Sequence, residues 1–384
     1  MEEKKNKAWS WINAALITAF TFFLSHYIIY DISSLSVFSP MEKSNDFVVS
    51  DLYQTNLSNR MVSSMSNDIV IVSVDGCNRQ EIADILTSIN ECKPKGVFLD
   101  IFFNEEYYDE DQPLIEALNS TQKLYLPEQI NIGKDSASLL GSYFYPELGS
   151  NVHYGASNLS ANSMRDVIRS FHPFFSSSET GGVQLQNIVS EIAMSFFPEQ
   201  YDVLMSRNNE EEMISFSTTE FMSFSSDEII NGIDDNDEPF IRDKIIFIGN
   251  IDDKSDMYLT PVSYELSGLE IHAHALDTII NGTYERYSSK ALLIMITIIL
   301  VFWLVRFNIF ARHHLKYSGK LFIRIAQLAL MYFCVVFGVF FYVKKGLTVD
   351  FSITLLMLGL NILATDIWYG LLGLVRFVID KVKK

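Results

Sequence analysis

Cysteine is scarce in this chain, with 3 residues among 384. Cys77 and Cys92 stand at the two ends of a predicted helix, which separates them by roughly 20 Å. A disulfide tolerates no more than about 7 Å between its Cα atoms. Cys334 lies within an apolar run. The sequence therefore predicts no disulfide framework, and packing must stabilise the fold.

Common catalytic and metal-binding motifs are also missing. The sequence contains no G-x-x-x-x-G-K-[ST], H-E-x-x-H, G-x-S-x-G or C-x-x-C pattern. His272 and His274 look like a metal pair, but two residues apart on a predicted helix they point about 200° apart. We expect a structural role for both histidines, no bound metal or cofactor, and no enzymatic activity.

Positive charge is scarce and unevenly distributed. The chain has 29 Lys and Arg against 47 Asp and Glu, a net charge of -18. Residues 31–289 hold 42 acidic and 14 basic residues, whereas the rest holds 5 acidic and 15 basic residues. An acidic block of this size argues against binding nucleic acid.

Four apolar runs account for the hydrophobic fraction of 48%. They are residues 8–30, 291–305, 325–343 and 351–365. A bilayer core requires roughly 20 apolar residues per helix, and the two shorter runs are extended by neighbouring apolar residues. We expect four transmembrane helices in the lipid bilayer, one before the acidic block and three after it. The first run is too long for a cleavable signal peptide.

Basic residues collect on the cytoplasmic flanks of membrane helices. They precede the first run, join the second to the third, and follow the fourth. Both termini are therefore predicted to be cytoplasmic, in a cell inner membrane. The predicted organisation is a cytoplasmic N-terminus with helix 1 (1–30), an extracytoplasmic domain (31–289), three transmembrane helices (290–375) and a basic tail (376–384). Asp366 is either an interfacial residue or a functional intramembrane carboxylate.

The acidic block reads as an α/β domain with a mostly parallel sheet flanked by helices. Residues 68–75 (DIVIVSVD) and 95–103 (KGVFLDIFF) have buried-strand patterns, and residues 79–91 between them have a helical stripe. This is a βαβ unit. A closing strand at 243–249 and a helix at 268–280, stopped by Asn281-Gly282, complete the domain.

Polar residues at the ends of these strands define a candidate ligand site. Asp75 and Asp100 end or interrupt apolar strands, Gly249 ends the closing strand, and Arg169 is a potential donor to an anion. Ligands bind at the carboxyl edge of open α/β sheets. The alternative is structural: the two aspartates cap helices or pair with Arg169 inside the domain.

Several segments carry a resemblance to a known family. They are D-I-V-I-V-S-V-D (68–75), K-P-K-G-V-F-L-D-I-F-F (93–103), G-A-S-N (155–158), R-D-V-I-R-S-F (165–171), D-K-I-I-F-I-G (243–249), T-P (260–261) and G-L-E-I-H-A-H-A-L-D-T-I-I-N-G (268–282). They resemble CHASE2, an extracytoplasmic sensory domain of bacterial receptors with one helix before it and three after it. The resemblance adds Asn158, in the family's glycine–asparagine turn, to the candidate ligand residues.

Two departures from the family pattern bear on function. The W-P-W-x-R-like segment that often precedes the first helix is missing, because residues 76–78 lead directly to Arg79. Family receptors usually carry a kinase or cyclase after the last span, whereas this sequence ends at Lys384. We therefore expect a sensor that acts through a membrane or cytoplasmic signalling partner, or as a homodimer.

The sensor interpretation has two rivals. In one, the chain is a structural or assembly subunit whose outer domain binds another protein instead of a small ligand. In the other it is an extracytoplasmic hydrolase, which the lack of a nucleophile–base pattern disfavours.

The predicted topology can be tested by cysteine labelling in intact cells. With the three native cysteines replaced, a membrane-impermeant thiol reagent should label a cysteine at Ser226 and should not label one at Ser318. The domain side of the membrane is exposed to the reagent, while the basic loop between the second and third runs is not. Labelling at position 318 without labelling at 226 would reverse the topology.

Overall fold

The computed structural model describes residues 2–27, 64–106, 108–132, 137–159, 167–175, 185–216, 219–233, 237–263, 265–284, 286–314, 317–345, 347–349 and 351–382. Two compact units divide the chain. A sheet unit comprises residues 54–285, and a helical unit combines residues 1–53 with residues 286–384. Residues 31–63, at the predicted start of the outer domain, and Arg165 and Asp166 lie outside the described residues.

Most strands of the sheet unit join one mixed sheet. The sheet strands are β1 (Ser64–Ser73), β2 (Gly96–Asp100), β3 (Leu124–Ile132), β4 (Ala137–Leu140), β5 (Val152–Ala156), β10 (Thr219–Phe224) and β11 (Ile245–Gly249). Their order is β10-β1-β11-β2-β3-β4, and β5 also pairs with β3. Only the β3–β4 pairing of this sheet is antiparallel among the described residues. The mostly parallel sheet predicted from sequence is thus present.

Shorter strands form two-residue ribbons. These are β6 (Ser170–Phe171) with β9 (Glu212–Met213), β7 (Phe174–Phe175) with β8 (Leu185–Gln186), and β12 (Met257–Tyr258) with β13 (Leu266–Ser267). The helix that follows β8 begins at Ile188, because the Asn187 side chain accepts a hydrogen bond from the Val189 N–H and caps the helix there.

The helices of the sheet unit flank the sheet. They are α2 (Arg79–Glu91), α3 (Tyr108–Ser120), α4 (Ile188–Phe196), α5 (Pro198–Ser206), α6 (Ser226–Ile230), α7 (Glu238–Ile241) and α8 (Gly268–Asn281), with 3-10 turns at Tyr145–Glu147 and Lys254–Asp256. A capping box formed by Asn78 and Glu81 starts α2. Gly282, at a φ of +61°, ends α8 as the sequence predicted.

Alternate residues of the central strands face opposite sides of the sheet. Val97 and Leu99 pack in a core with α2 and α3, whereas Phe98 packs in a second core with α4 and α8. All five residues of β11 are buried. Because both faces are covered, these strands read as continuous apolar runs, as expected for parallel sheets.

The position of β11 corrects one detail of the predicted βαβ unit. The sequence suggested that β1 and β2 are neighbours, but β11 lies between them and pairs in parallel with both. The entirely apolar β11 is the strand best suited to this central place. In this register Ser73 stands beside Gly249, which stands beside Asp100.

The helical unit contains four long helices. They are α1 (Glu2–Tyr27), α9 (Lys290–His314), α10 (Tyr317–Lys345) and α11 (Ser352–Val382). A two-residue parallel ribbon joins β14 (Arg286–Tyr287) to β15 (Leu347–Thr348). In the part of the chain that the structure describes, three segments are long and apolar enough to cross a membrane: Ala291–Arg312, Leu321–Tyr342 and Ser352–Val382. The three predicted helices after the domain are thus present, and each is longer than its apolar run.

Polar side chains join the helices of this unit. Asn308 donates to Asn361 at 2.9 Å, and the hydroxyls of Thr297 and Thr354 lie 2.7 Å apart. Asp366 forms an ion pair with Arg312. The membrane carboxylate singled out in the sequence therefore has a cationic partner.

Residues 31–289 produced without the helical unit should fold as a soluble domain, because two cores cover both faces of the sheet. We expect one cooperative thermal transition by calorimetry. Heating without any cooperative transition would show instead that the membrane helices complete this fold.

Candidate functional site

Asp75 lies just beyond the carboxyl end of β1 and fixes the loop that follows β11. Its carboxylate accepts hydrogen bonds from the backbone N–H groups of Ile251 at 3.0 Å and Asp252 at 3.1 Å. The Ser73 hydroxyl donates a third, at 2.5 Å. Charge-assisted hydrogen bonds of this kind are strong, so Asp75 has a structural function at the sheet edge.

Asp100, two strands away, faces a cleft instead. The cleft has a volume of about 490 Å³, within the usual range for ligand pockets. It opens at the carboxyl edge of the sheet and is lined mainly by polar residues of the loops that leave β2, β5 and β11, and by the first turns of α8. These residues are Asp100, Ile101, Phe102, Gln129, Ser157, Asn158, Leu159, Asn250, Asp253, Asp256, Tyr258, Gly268 and His272.

The environment of Asp100 disfavours its charged form. Burial, with a smaller contribution from the Asp256 carboxylate, raises the pKa of Asp100 from 3.8 to about 7. Among the residues that the structure describes, no Lys, Arg or His forms an ion pair with Asp100. The cleft thus contains a carboxyl group that changes protonation near neutral pH and has no cation opposite it.

Asp256 lies at the N-terminus of α8. Burial raises its pKa, and hydrogen bonds from the Tyr258 hydroxyl and the Gly268 backbone N–H oppose that rise. A Cβ atom at Gly268 would stand 2.7 Å from Asp256 Oδ2, so glycine is required for this close approach. Burial, and then Asp256, raise the pKa of Tyr258 to about 12. The tyrosine therefore remains a hydroxyl donor.

The other predicted site residues have different places. Asn158 lines the cleft, but its side chain pairs with the Ile130 backbone, accepting at 2.7 Å and donating at 3.0 Å. Gly249 is buried at the end of β11, where an added Cβ atom would stand 3.2 Å from the Leu269 side chain. Its function is to let α8 approach the sheet.

Arg169 is not among the residues that line the cleft. The Ile214 N–H donates to its carbonyl at 2.8 Å, and its guanidinium donates to the Val167 carbonyl at 3.3 Å. Within the described residues, no ion pair joins Arg169 to Asp75 or Asp100. The backbone contact with Ile214 holds Arg169 beside the β6–β9 ribbon.

The two histidines of α8 contact different neighbours. His272 lines the cleft and packs edge-on against Phe98, whereas His274 lies against Phe216 and Phe221. Burial lowers the pKa of each to about 4, so both imidazoles are neutral at physiological pH. In the described part of the chain, no three His, Cys, Asp or Glu side chains are placed to hold a metal ion.

Sequence reasoning missed Asp256, Tyr258 and Asn250. All three lie in the segment between β11 and α8, to which the sequence analysis assigned no ligand residue. A signal was available, because an acidic loop that follows a buried parallel strand must lie at the carboxyl edge of the sheet. The arrangement of Asp100, Asp256 and Tyr258 suits the binding of a polar group that donates hydrogen bonds or carries positive charge.

Comparison with known proteins gives one family match. The family model described as the CHASE2 domain matches residues 32–307. No curated protein and no solved structure matches the chain.

The two sheet-edge aspartates should respond oppositely to the same substitution. Native Asp100 holds its proton more tightly than the unfolded chain does, so stability should fall as pH rises from about 4 to about 7. Asp100→Asn should remove that loss and raise the free energy of unfolding at pH 8 by about 1–3 kcal/mol.

Asp75→Asn is the matched control. It removes the carboxylate that accepts two backbone N–H groups, and should lower the free energy of unfolding by about 1–3 kcal/mol. Calorimetry of the detergent-solubilised protein at pH 5 and pH 8 measures both effects. Destabilisation by Asp100→Asn at pH 8 would show that the Asp100 carboxylate is stabilised, which contradicts the description above.

Proposed function

The chain belongs to the CHASE2 domain family, and on this premise we propose that it is a membrane sensor whose sheet unit binds a small molecule in the cleft at Asp100. A CHASE2 sensory domain followed by apolar helices fits a membrane sensory protein. The role proposed is binding and signalling, without catalysis by this chain.

The observation that carries the proposal is the state of Asp100. A desolvated carboxyl with no cationic partner among the described residues is costly to keep charged. Asp75, on a neighbouring loop, shows how this fold satisfies a carboxylate with backbone N–H groups when the role is structural. No N–H group of the described residues donates to Asp100, and Asp100 faces an open cleft, which supports a role in binding.

The cleft favours a small ligand that bears an ammonium, guanidinium or other hydrogen-bond-donating group. Asp100, Asp253 and Asp256 supply acceptors, and the charge of the acidic block attracts cations over longer range. A bound cation would offset the cost of ionising Asp100. An anionic ligand would instead meet like charge.

We place the sheet unit outside the cytoplasm of a bacterial cell, with both termini inside. The basic flanks of the apolar runs support this orientation. The packing of α1 supports a fourth span, because Ala14 and Ile17 of α1 belong to one core with Val301 of α9 and Met357 of α11.

Signalling would require two states of the domain with different ligand affinity. The first turns of α8 line the cleft, and only residues 282–289 separate the end of this helix from α9. A shift of α8 on binding would therefore pass along the chain to the membrane helices through this one short segment. The receiving component would be a second copy of the chain or a membrane or cytoplasmic partner.

An assembly subunit is the second candidate function. Leu139 and Leu140, on the edge strand β4, are 42% and 46% exposed. An exposed apolar edge strand can pair with a strand of another protein. In that case the partner would bind β4, and the cleft would have no ligand.

The sensor proposal is tested by thermal unfolding of the solubilised full-length protein with a panel of probes. The panel comprises putrescine, spermidine, arginine, glucose and citrate, each at millimolar concentration. At least one cationic probe should raise Tm, and citrate should not, because binding to the folded state alone stabilises it. Asp100→Asn should abolish the rise.

Asp202→Asn is the control, since it removes one exposed carboxylate from α5, away from the cleft lining. It should preserve the rise in Tm. Equal responses of the two variants, or no response to any cationic probe, would reject the ligand class. No response to any cationic probe, together with an oligomer in detergent that dissociates when Leu139 and Leu140 are changed to serine, would favour the assembly role.

A further inference from the structure

The helical unit contains a second cleft that the sensory role does not use. Its volume is about 190 Å³, and it is formed by α9, α10 and α11. Its lining residues are Asn308, Ala311, Arg312, Ile323, Arg324, Ile362, Thr365 and Asp366. The volume is smaller than the roughly 300–1,000 Å³ of typical small-molecule pockets, so the cleft suits a small chemical group better than a drug-sized ligand.

The cleft lies where two membrane spans end. Arg312 is the last residue of the apolar segment Ala291–Arg312, and Arg324 is three residues into Leu321–Tyr342. The ends of a span meet the layer of lipid headgroups. When these segments span a bilayer, the two guanidinium groups come close to the lipid phosphates.

The two arginines differ in their partners. Arg312 forms an ion pair with Asp366, and its guanidinium lies 4.8 Å from the centre of the Tyr369 ring. Arg324 lines the same cleft, and no described Asp or Glu forms an ion pair with it. The three charged side chains thus leave the cleft with an excess of one positive charge.

We propose that this cleft binds the phosphate group of an anionic membrane lipid. A planar guanidinium donates paired hydrogen bonds to phosphate oxygens, and Arg324 is available for this function. Asp366 and Tyr369 hold Arg312 in place at the other side of the cleft. Basic pockets between membrane helices are known binding sites for phosphorylated headgroups.

A simpler account is that Arg324 extends into the headgroup layer and binds no particular lipid. Such an arginine would only add to the general attraction between the basic surface of the protein and anionic lipids, as any neighbouring basic residue would. At a specific phosphate site, the affinity for the lipid would instead depend on Arg324 more than on other basic residues. It would also depend on the phosphate group more than on the acyl chains.

The test is native mass spectrometry of the full-length protein released from a neutral detergent. Phosphatidylglycerol, diacylglycerol and inorganic phosphate are added separately, and the bound fraction gives each affinity. Wild type should retain phosphatidylglycerol in preference to diacylglycerol. Arg324→Gln should weaken phosphatidylglycerol binding about tenfold, and Arg324→Lys should weaken it less, since the charge remains but the paired donors are lost.

Lys381→Gln is the matched control, because it removes an exposed positive charge from α11 at a residue that does not line the cleft. It should change the affinity less than twofold. Equal losses in Arg324→Gln and Lys381→Gln, or equal binding of phosphatidylglycerol and diacylglycerol, would overturn the proposal. Arg324-dependent binding of inorganic phosphate with no preference for the lipid would place the phosphate source in solution and overturn the lipid assignment.

Discussion

The hydrogen-bond register of β1, β11 and β2 is the constraint on which the sensory unit depends. These parallel strands align Ser73, Gly249 and Asp100 in one row, so the loops that follow them leave the sheet at one edge. Glycine ends the middle strand and lets Leu269 of α8 pack closely against it. The first turns of α8, the loop after β11 and the end of β2 therefore form one cleft.

The same edge places two aspartates in opposite environments. Asp75 accepts hydrogen bonds from two backbone N–H groups of the loop after β11 and so helps to fix that loop. Asp100 faces the cleft that this loop encloses, and its neighbour Asp256 accepts a hydrogen bond from the backbone N–H of Gly268. The fold thus uses one carboxylate to build the site and leaves another desolvated within it. This division supports binding at Asp100 and a structural function at Asp75.

Local patterns in the sequence predicted much of this unit. The helical stripe of α2, the glycine after α8 and the apolar strands each depend on neighbours in the chain, and a single sequence shows them. The insertion of β11 between β1 and β2 depends on pairing between residues about 150 to 180 positions apart, which strand patterns do not encode. The placement of Arg169 was out of reach of the sequence for a related reason, since a backbone bond from distant Ile214 positions that segment.

The most direct test of the account is the ionisation of Asp100 itself. The side-chain carboxyl carbon can be followed by NMR in protein with 13C-labelled aspartate, and the Asp100→Asn spectrum assigns its signal. The titration midpoint should lie near the pKa of about 7 that burial and Asp256 produce. A midpoint near the ordinary 3.8 would mean that the carboxylate is solvated or paired, and would contradict the unpartnered site on which the sensory proposal rests.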